Sequence, residues 1–172
     1  MIKLAITGGI GSGKSYVARQ MSQLLGIPVY DSDSNAKRLN EESPRIRQGL
    51  TDMVGCDVYD ADGHLNKSML ASFIFTNEEN ARKVNALVHP IVMEDFLCWA
   101  SRQTTPVVAI ETALLAESGI DKVVDKVIRV DAPLETRILR AMQRDGATRE
   151  QILARMARQT EYPCPHIIIN NV

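Results

Sequence analysis

GGIGSGKS, residues 8–15, fits G-x-x-x-x-G-K-[ST]. Four fixed positions in eight make this an uncommon match, and its flanks narrow it further. IKLAIT (2–7) upstream is β-rich. KSYVARQMSQLL downstream places Val17, Met21, Leu24 and Leu25 at helical spacing, with Gly26 as a stop. Strand, glycine-rich turn and helix together form a phosphate cradle. The glycines let the backbone turn and aim successive N–H groups at phosphate oxygens. The helix N-terminus adds positive potential. Lys14 is placed to reach the β- and γ-phosphates, and the Ser15 hydroxyl to ligate Mg²⁺. The candidate ATP-binding set is Gly8, Gly9, Gly11, Ser12, Gly13, Lys14, Ser15 and Tyr16, with Ser15 as the metal ligand.

The rest of the chain fits a nucleotide-binding α/β domain. Its 172 residues are 45% hydrophobic and 24% charged, with net charge −1, enough for one globular domain with a real core. The charge balance supplies no bulk attraction to nucleic acid or membrane. No apolar run approaches the roughly 20 residues of a membrane span. MIKLAITGG has no signal-peptide layout, so a cytosolic location is expected. Cys56, Cys98 and Cys164 are odd in number and widely spaced, which argues against both a disulfide framework and a zinc site; buried or incidental thiols are expected.

Strand character recurs at IPVY (27–30), PVVAIET (106–112), KVIRVD (126–131) and HIIIN (166–170), the last read as buried. Between the second and third of these runs a helical middle, about 33–102. Ser43-Pro44 reads as a helix start. Thr76 to Glu79 and Thr148 to Gln151 have capping-box spacing. GCDVYDADGHLN (55–66) reads as loop and turn. Alternating strands and helices predict a three-layer α/β fold of P-loop kinase type, with a mostly parallel five-stranded sheet. The expected division is a core of 1–33 and 104–172, a helical acceptor-binding insertion of about 34–103 over the carboxyl ends of the strands, and a lid around 137–160.

A P-loop does not name a reaction. A guanine-specific chain needs N-K-x-D after a later strand; the Asn-Lys of NKSM (66–69) lacks the Asp. DADG (60–63) matches D-x-x-G only as a turn. A kinase for a hydroxyl acceptor benefits from a carboxylate that holds and deprotonates that hydroxyl. Asp31 and Asp33 lie just past the second strand; Asp33 by itself reads as the cap of the next helix, but beside a P-loop the reading as base is favoured, and the two roles are not exclusive. Arg137, Arg140 and Arg144 share a helix face. For Arg137 a solvated position paired with Glu135 or Asp145 is expected. For Arg140 and Arg144, spacing supports a phosphate clamp and a surface face equally.

The motifs taken in order resemble the dephospho-CoA kinase family along essentially the whole chain. TGGIGSGKS (7–15), DSD (31–33), LVHPIV (87–92), ALLAESG (113–119), RVDAPLETRILRAMQRD (129–145) and IIINN (167–171) are similar to the family's P-loop, D-x-D, His-Pro, P-L-L-x-E, arginine-helix and final V-I-x-N elements. The resemblance implies transfer of the ATP γ-phosphate to the ribose 3′-hydroxyl of dephospho-CoA, with Mg²⁺. It implies Asp33 as general base, with Asp31 supporting the metal or the acceptor. Arg140 and Arg144 would be lid arginines and Asn170 would lie near the adenine. Arg82, His89 and Leu115 would fall in the acceptor site. No protein partner is implied. Three departures stand out. Ala113 replaces a usual Pro, Arg137 a usual Gln, and the chain stops at Val172 where members usually add a C-terminal helix. Two alternatives stay open on the residues alone: another nucleoside or nucleotide kinase, and a non-catalytic ATP-binding regulator.

Overall fold

The computed structural model describes residues 1–171. Five strands form one parallel sheet in the order β2-β3-β1-β4-β5: β1 Ile2–Thr7, β2 Val29–Asp31, β3 Val107–Glu111, β4 Lys126–Asp131 and β5 Ile167–Asn170. The central strands are near-continuous apolar runs, as expected for a parallel sheet buried from its faces. Ala5, Ile6, Val108, Ala109, Ile110 and Val130 are completely buried. Parallel strands place their carboxyl ends together, so Thr7, Asp31, Glu111 and Asp131 close one edge of the sheet. Ligands bind at this edge in open α/β sheets.

The chain divides into two compact units, 1–31 with 99–172, and 32–98. In the first, α1 (Lys14–Leu25) packs Val17, Ala18 and Met21 against Ile6, Ala109 and Val130. Leu24 and Leu25 do not join this seam; they are 75% and 67% exposed. After β3 come the short α6 (Leu115–Ser118), then β4, α7 (Leu134–Asp145) and α8 (Arg149–Ala157). The predicted capping box of α8 forms: Thr148 and Gln151 exchange side-chain-to-backbone bonds. Ile138, Ala141 and Ile152 make a small buried core between α7 and α8, with Ile10 of the P-loop packed onto it.

The second unit contains α2 (Ser32–Glu42), α3 (Pro44–Val54), α4 (Lys67–Thr76) and most of α5 (Glu78–Ser101). Ser43 caps α3 with Pro44 at its first position, as predicted. The start of α5 differs from expectation. Thr76 ends α4, and Asn77 supplies the cap, accepting from Asn80 N–H at 2.8 Å. Gly49 lets α3 approach α5 closely; a Cβ there would stand 2.5 Å from Leu87. Residues 55–66 form a tight turn at Asp60–Gly63 flanked by an antiparallel bridge, Tyr59 to Leu65.

Two further expectations need correction. The last strand is not buried: Ile167 and Ile168 are 49% and 50% exposed, because β5 is an edge strand with β4 as its neighbour in the sheet. Of the two expectations for the cysteines, buried or incidental, the first fails: all three are exposed and free. No helix among the described residues is long and apolar enough to cross a membrane.

Candidate active site

The glycine-rich turn runs from the end of β1 into α1 and adopts the conformation its glycines permit. Gly11 and Gly13 have φ of +75° and +88°, in the left-handed region. Gly11 is also needed for space against backbone, whereas Gly9 faces only the movable end of a side chain. A Cβ on Gly9 would stand 1.9 Å from the Arg137 guanidinium, and one on Gly11 2.1 Å from the Arg137 carbonyl. Ser12 is 1% exposed, and its hydroxyl has no hydrogen-bond partner among the described residues.

Three side chains from the C-terminal third of the chain hold this turn. Arg137 Nε donates to Ile10 O at 3.0 Å. Ile10 N–H donates to Gln159 Oε1 at 2.8 Å. Asn171 Nδ2 donates to Ser12 O at 3.0 Å. The solvated reading of Arg137 is therefore wrong. Its side chain is 16% exposed and pairs at 3.6 Å with Glu161, whereas Glu135 pairs with Arg149. Spacing shows which helical residues share a face, but not what the face meets.

The turn opens on a cleft of about 330 Å³ lined by Gly11, Gly13, Lys14, Ser15, Tyr16, Arg19, Arg140, Ala141 and Arg144. The structure thus gathers Lys14 with both predicted lid arginines. Arg140 is anchored, donating to Asn171 O at 3.1 Å. Arg144 is more exposed and makes a two-bond pair with Asp145 at 2.6 and 3.0 Å. Its hydrogen bond to Asp145 raises the Arg144 pKa, and the same bond, followed by Arg155, lowers that of Asp145. Arg19 brings a fourth cation to the cleft, unassigned by any motif. It lies one helical turn beyond Ser15, and only the assembled cleft gives it significance.

At the sheet edge, Ser15 Oγ donates to Glu111 Oε1 at 2.5 Å. Glu111 stands in register with Asp31 on the adjacent strand. Two carboxylates and a hydroxyl therefore end three neighbouring segments. Glu111 was missed in the sequence. Its signal was an acidic residue closing the apolar run VVAI, the position from which P-loop proteins aim a carboxylate at the metal. No group of three or more His, Cys, Asp or Glu side chains able to hold a metal occurs among the described residues. Ser15 with Glu111 suits Mg²⁺ in the manner this ion prefers, with few protein ligands and the remainder from phosphate and water.

The other candidates separate. Asn170 is exposed, and it is Asn171 that meets the P-loop. Asn170 ends β5, and Asn171 follows it outside the strand. Leu115, expected at the acceptor, is 1% exposed and lies in the core, and Leu114 beside it is 37% exposed. Asp33 lies inside the first turn of α2, which begins at Ser32. Arg82 and His89 both lie on α5, the first exposed and the second half-buried.

The sequence model of the dephospho-CoA kinase family matches residues 2–163. A dephospho-CoA kinase of Porphyromonas gingivalis is 49% identical over 92% of this chain and 78% of its own length. That of Escherichia coli K12 is 37% identical over 98% of this chain and 83% of its own. Among solved structures, TT1252 from Thermus thermophilus superposes with a TM-score of 0.84 at 33% identity, over 99% of this chain and 88% of that one. Dephospho-CoA kinase from Campylobacter jejuni gives a TM-score of 0.66 at 21% identity, over 98% and 87%. With nearly its full length matched by the family model and by relatives well above 30% identity, this chain belongs to the dephospho-CoA kinase family.

Proposed function

We propose that the protein transfers the γ-phosphoryl group of ATP to the ribose 3′-hydroxyl of dephospho-CoA, forming CoA and ADP. The observation that carries this reading is the single cleft uniting the P-loop, Lys14, Arg140 and Arg144, in a chain whose family is dephospho-CoA kinase. The P-loop amides and Lys14 would bind the β- and γ-phosphates. Mg²⁺, held through Ser15 with Glu111 behind it, would neutralise charge on those oxygens. Asp33 would orient the 3′-hydroxyl and take its proton as the oxygen bonds to the γ-phosphorus and the bond to the β–γ bridging oxygen breaks. Arg140 and Arg144, on a lid of about 137–160, would stabilise the charge on the moving group. Asp31 would support the metal or the acceptor, and Arg82 and His89 would meet the acceptor.

The test is ADP release from ATP and Mg²⁺ with dephospho-CoA, adenosine, AMP or no acceptor. Release with dephospho-CoA alone, and a product that comigrates with CoA, is expected. Release with adenosine or AMP instead would discard this acceptor while keeping the kinase chemistry. Asp33→Asn is expected to bind ATP normally but to lose about 10²–10⁴-fold in turnover. Near-normal turnover in that variant would remove Asp33 from the mechanism.

A further inference from the structure

One side chain joins the phosphate side of the site to its metal side. Gln159 lies just past α8, where its backbone N–H donates to Met156 O at 3.1 Å. Its Oε1 accepts from Ile10 N–H in the P-loop at 2.8 Å, and its Nε2 donates to Ala113 O at 3.4 Å. Both bonds are part-buried. A primary amide suits this task, because one planar group carries both an acceptor and donors. No motif in the sequence points to it: Ile10 is 149 positions away and Ala113 is 46.

Each end of this bridge is itself fixed. Ile10 is gripped in three ways. Its N–H goes to Gln159, its carbonyl accepts from Arg137 Nε at 3.0 Å, and its side chain packs on Ile138, Ala141 and Ile152. The segment that carries Arg140 and Arg144 therefore begins and ends on one P-loop residue. At the other end, Ala113 stands two residues after Glu111, whose carboxylate accepts from the Ser15 hydroxyl. The turn after Glu111 is tied down. Thr112 N–H donates to Ile6 O at 3.0 Å, and Leu114 N–H donates to the Thr112 hydroxyl at 3.2 Å. The space beside Gln159, bounded by Gly8, Gly9, Ala113 and Thr160 among others, is about 10 Å³. It holds one water at most, so the amide itself sets the spacing.

We infer that Gln159 is a positioning residue for phosphoryl transfer, setting the distance between the P-loop at Ile10 and the Ser15–Glu111 side of the site at Ala113. This rests on the proposed transfer from ATP. The loop holds the phosphates, and Ser15 with Glu111 suits the Mg²⁺ that neutralises the same phosphate oxygens, so the two sides must be in register. A misplacement of about 1 Å between groups that must align can cost about 10²-fold in rate. Gln159 acts through two backbone groups, with both ends of its amide committed to the protein. Its effect therefore falls on alignment, and less on how tightly ATP is held.

The test compares Gln159→Met with Gln159→Glu. The first keeps the volume and removes both bonds. The second keeps an acceptor for Ile10 but, once ionised, has no donor for Ala113. Folding is checked by circular dichroism and thermal unfolding, and every measurement is made well below the melting midpoint. Steady-state kinetics, and calorimetry of ADP with and without Mg²⁺, supply two readouts. Gln159→Met is expected to lose about 10²-fold in kcat and Gln159→Glu about tenfold, with KM for dephospho-CoA within about twofold of the wild type. The factor by which Mg²⁺ tightens ADP binding is expected to fall by about threefold or more in Gln159→Met. A side chain that only supports the fold would lower the melting temperature and leave both readouts at wild-type values. That result, or a raised KM for ATP at unchanged kcat, would overturn the assignment. A wild type inert toward dephospho-CoA would sink the acceptor reading instead; the Mg²⁺ factor needs no acceptor and still decides the role of Gln159.

Discussion

The two ends of α7 carry the same residue type and do opposite things. At the N-terminal end Arg137 is largely buried and holds the P-loop through Ile10 O. At the C-terminal end Arg144 is 62% exposed and its guanidinium lies against Asp145. Two turns of helix separate an arginine that builds the site from one available to respond to what enters it. Charge type and helical period are equal for both, so the neighbours decide. At one end a part-buried carbonyl would lose its donor without Arg137; at the other, water can serve either partner.

This contrast can be broken by substitution, the largest effect coming first. Gly11→Ala places a methyl against the Arg137 backbone at a left-handed φ and is expected to cost about 2–5 kcal/mol of stability. Gly26→Ala, also left-handed but with nothing within 4 Å, is the control at about 1–2 kcal/mol. Equal losses in thermal unfolding would mean that contact with Arg137 does not constrain the loop.

Arg137→Ala comes next. It strands the Ile10 carbonyl and is expected to cost about 1–3 kcal/mol and to weaken ATP binding measured by calorimetry. Unchanged stability and ATP affinity would remove the distinction between the two ends of α7. Arg144→Ala should shift stability by under about 0.5 kcal/mol, since exposed ion pairs contribute little. Its effect should fall on kcat, about 10²-fold if it meets the transferring phosphoryl group. A large loss of stability with normal kcat would reverse the assignment.

The smallest effect is acid dependence. Hydrogen bonds from Arg144 and Arg155 hold the Asp145 carboxyl below its usual range, and Arg149 does the same for Glu135. A depressed carboxylate pKa contributes stability above its unfolded-state value that is lost as pH falls through the folded value. No change from these groups is expected between pH 7 and 5, and a modest loss below about pH 4. Asp145→Asn should flatten that acid limb, and high salt should shrink it. An acid limb in the variant as steep as in the wild type would exclude Asp145 as its source.

Much of the site was legible because its chemistry is local. The P-loop is eight consecutive residues, and its turn, helix N-terminus, Lys14 and Ser15 need no distant partner to be recognised. The capping box at Thr148 and the Ser43-Pro44 start are local in the same way. What the sequence alone determined is therefore the class of machine: a phosphate cradle on a parallel sheet, with the starts of α1, α3, α7 and α8 placed to within a turn. Tertiary structure decided which side chains surround that cradle. Glu111 reaches Ser15 across 96 positions, Arg137 reaches Ile10 across 127, and Asn171 reaches Ser12 across 159. It also placed Leu115 in the core and opened a cleft along α2 and α4. Periodicity encodes the face a residue shares, while its burial and partners depend on where the folded chain brings another segment against that face.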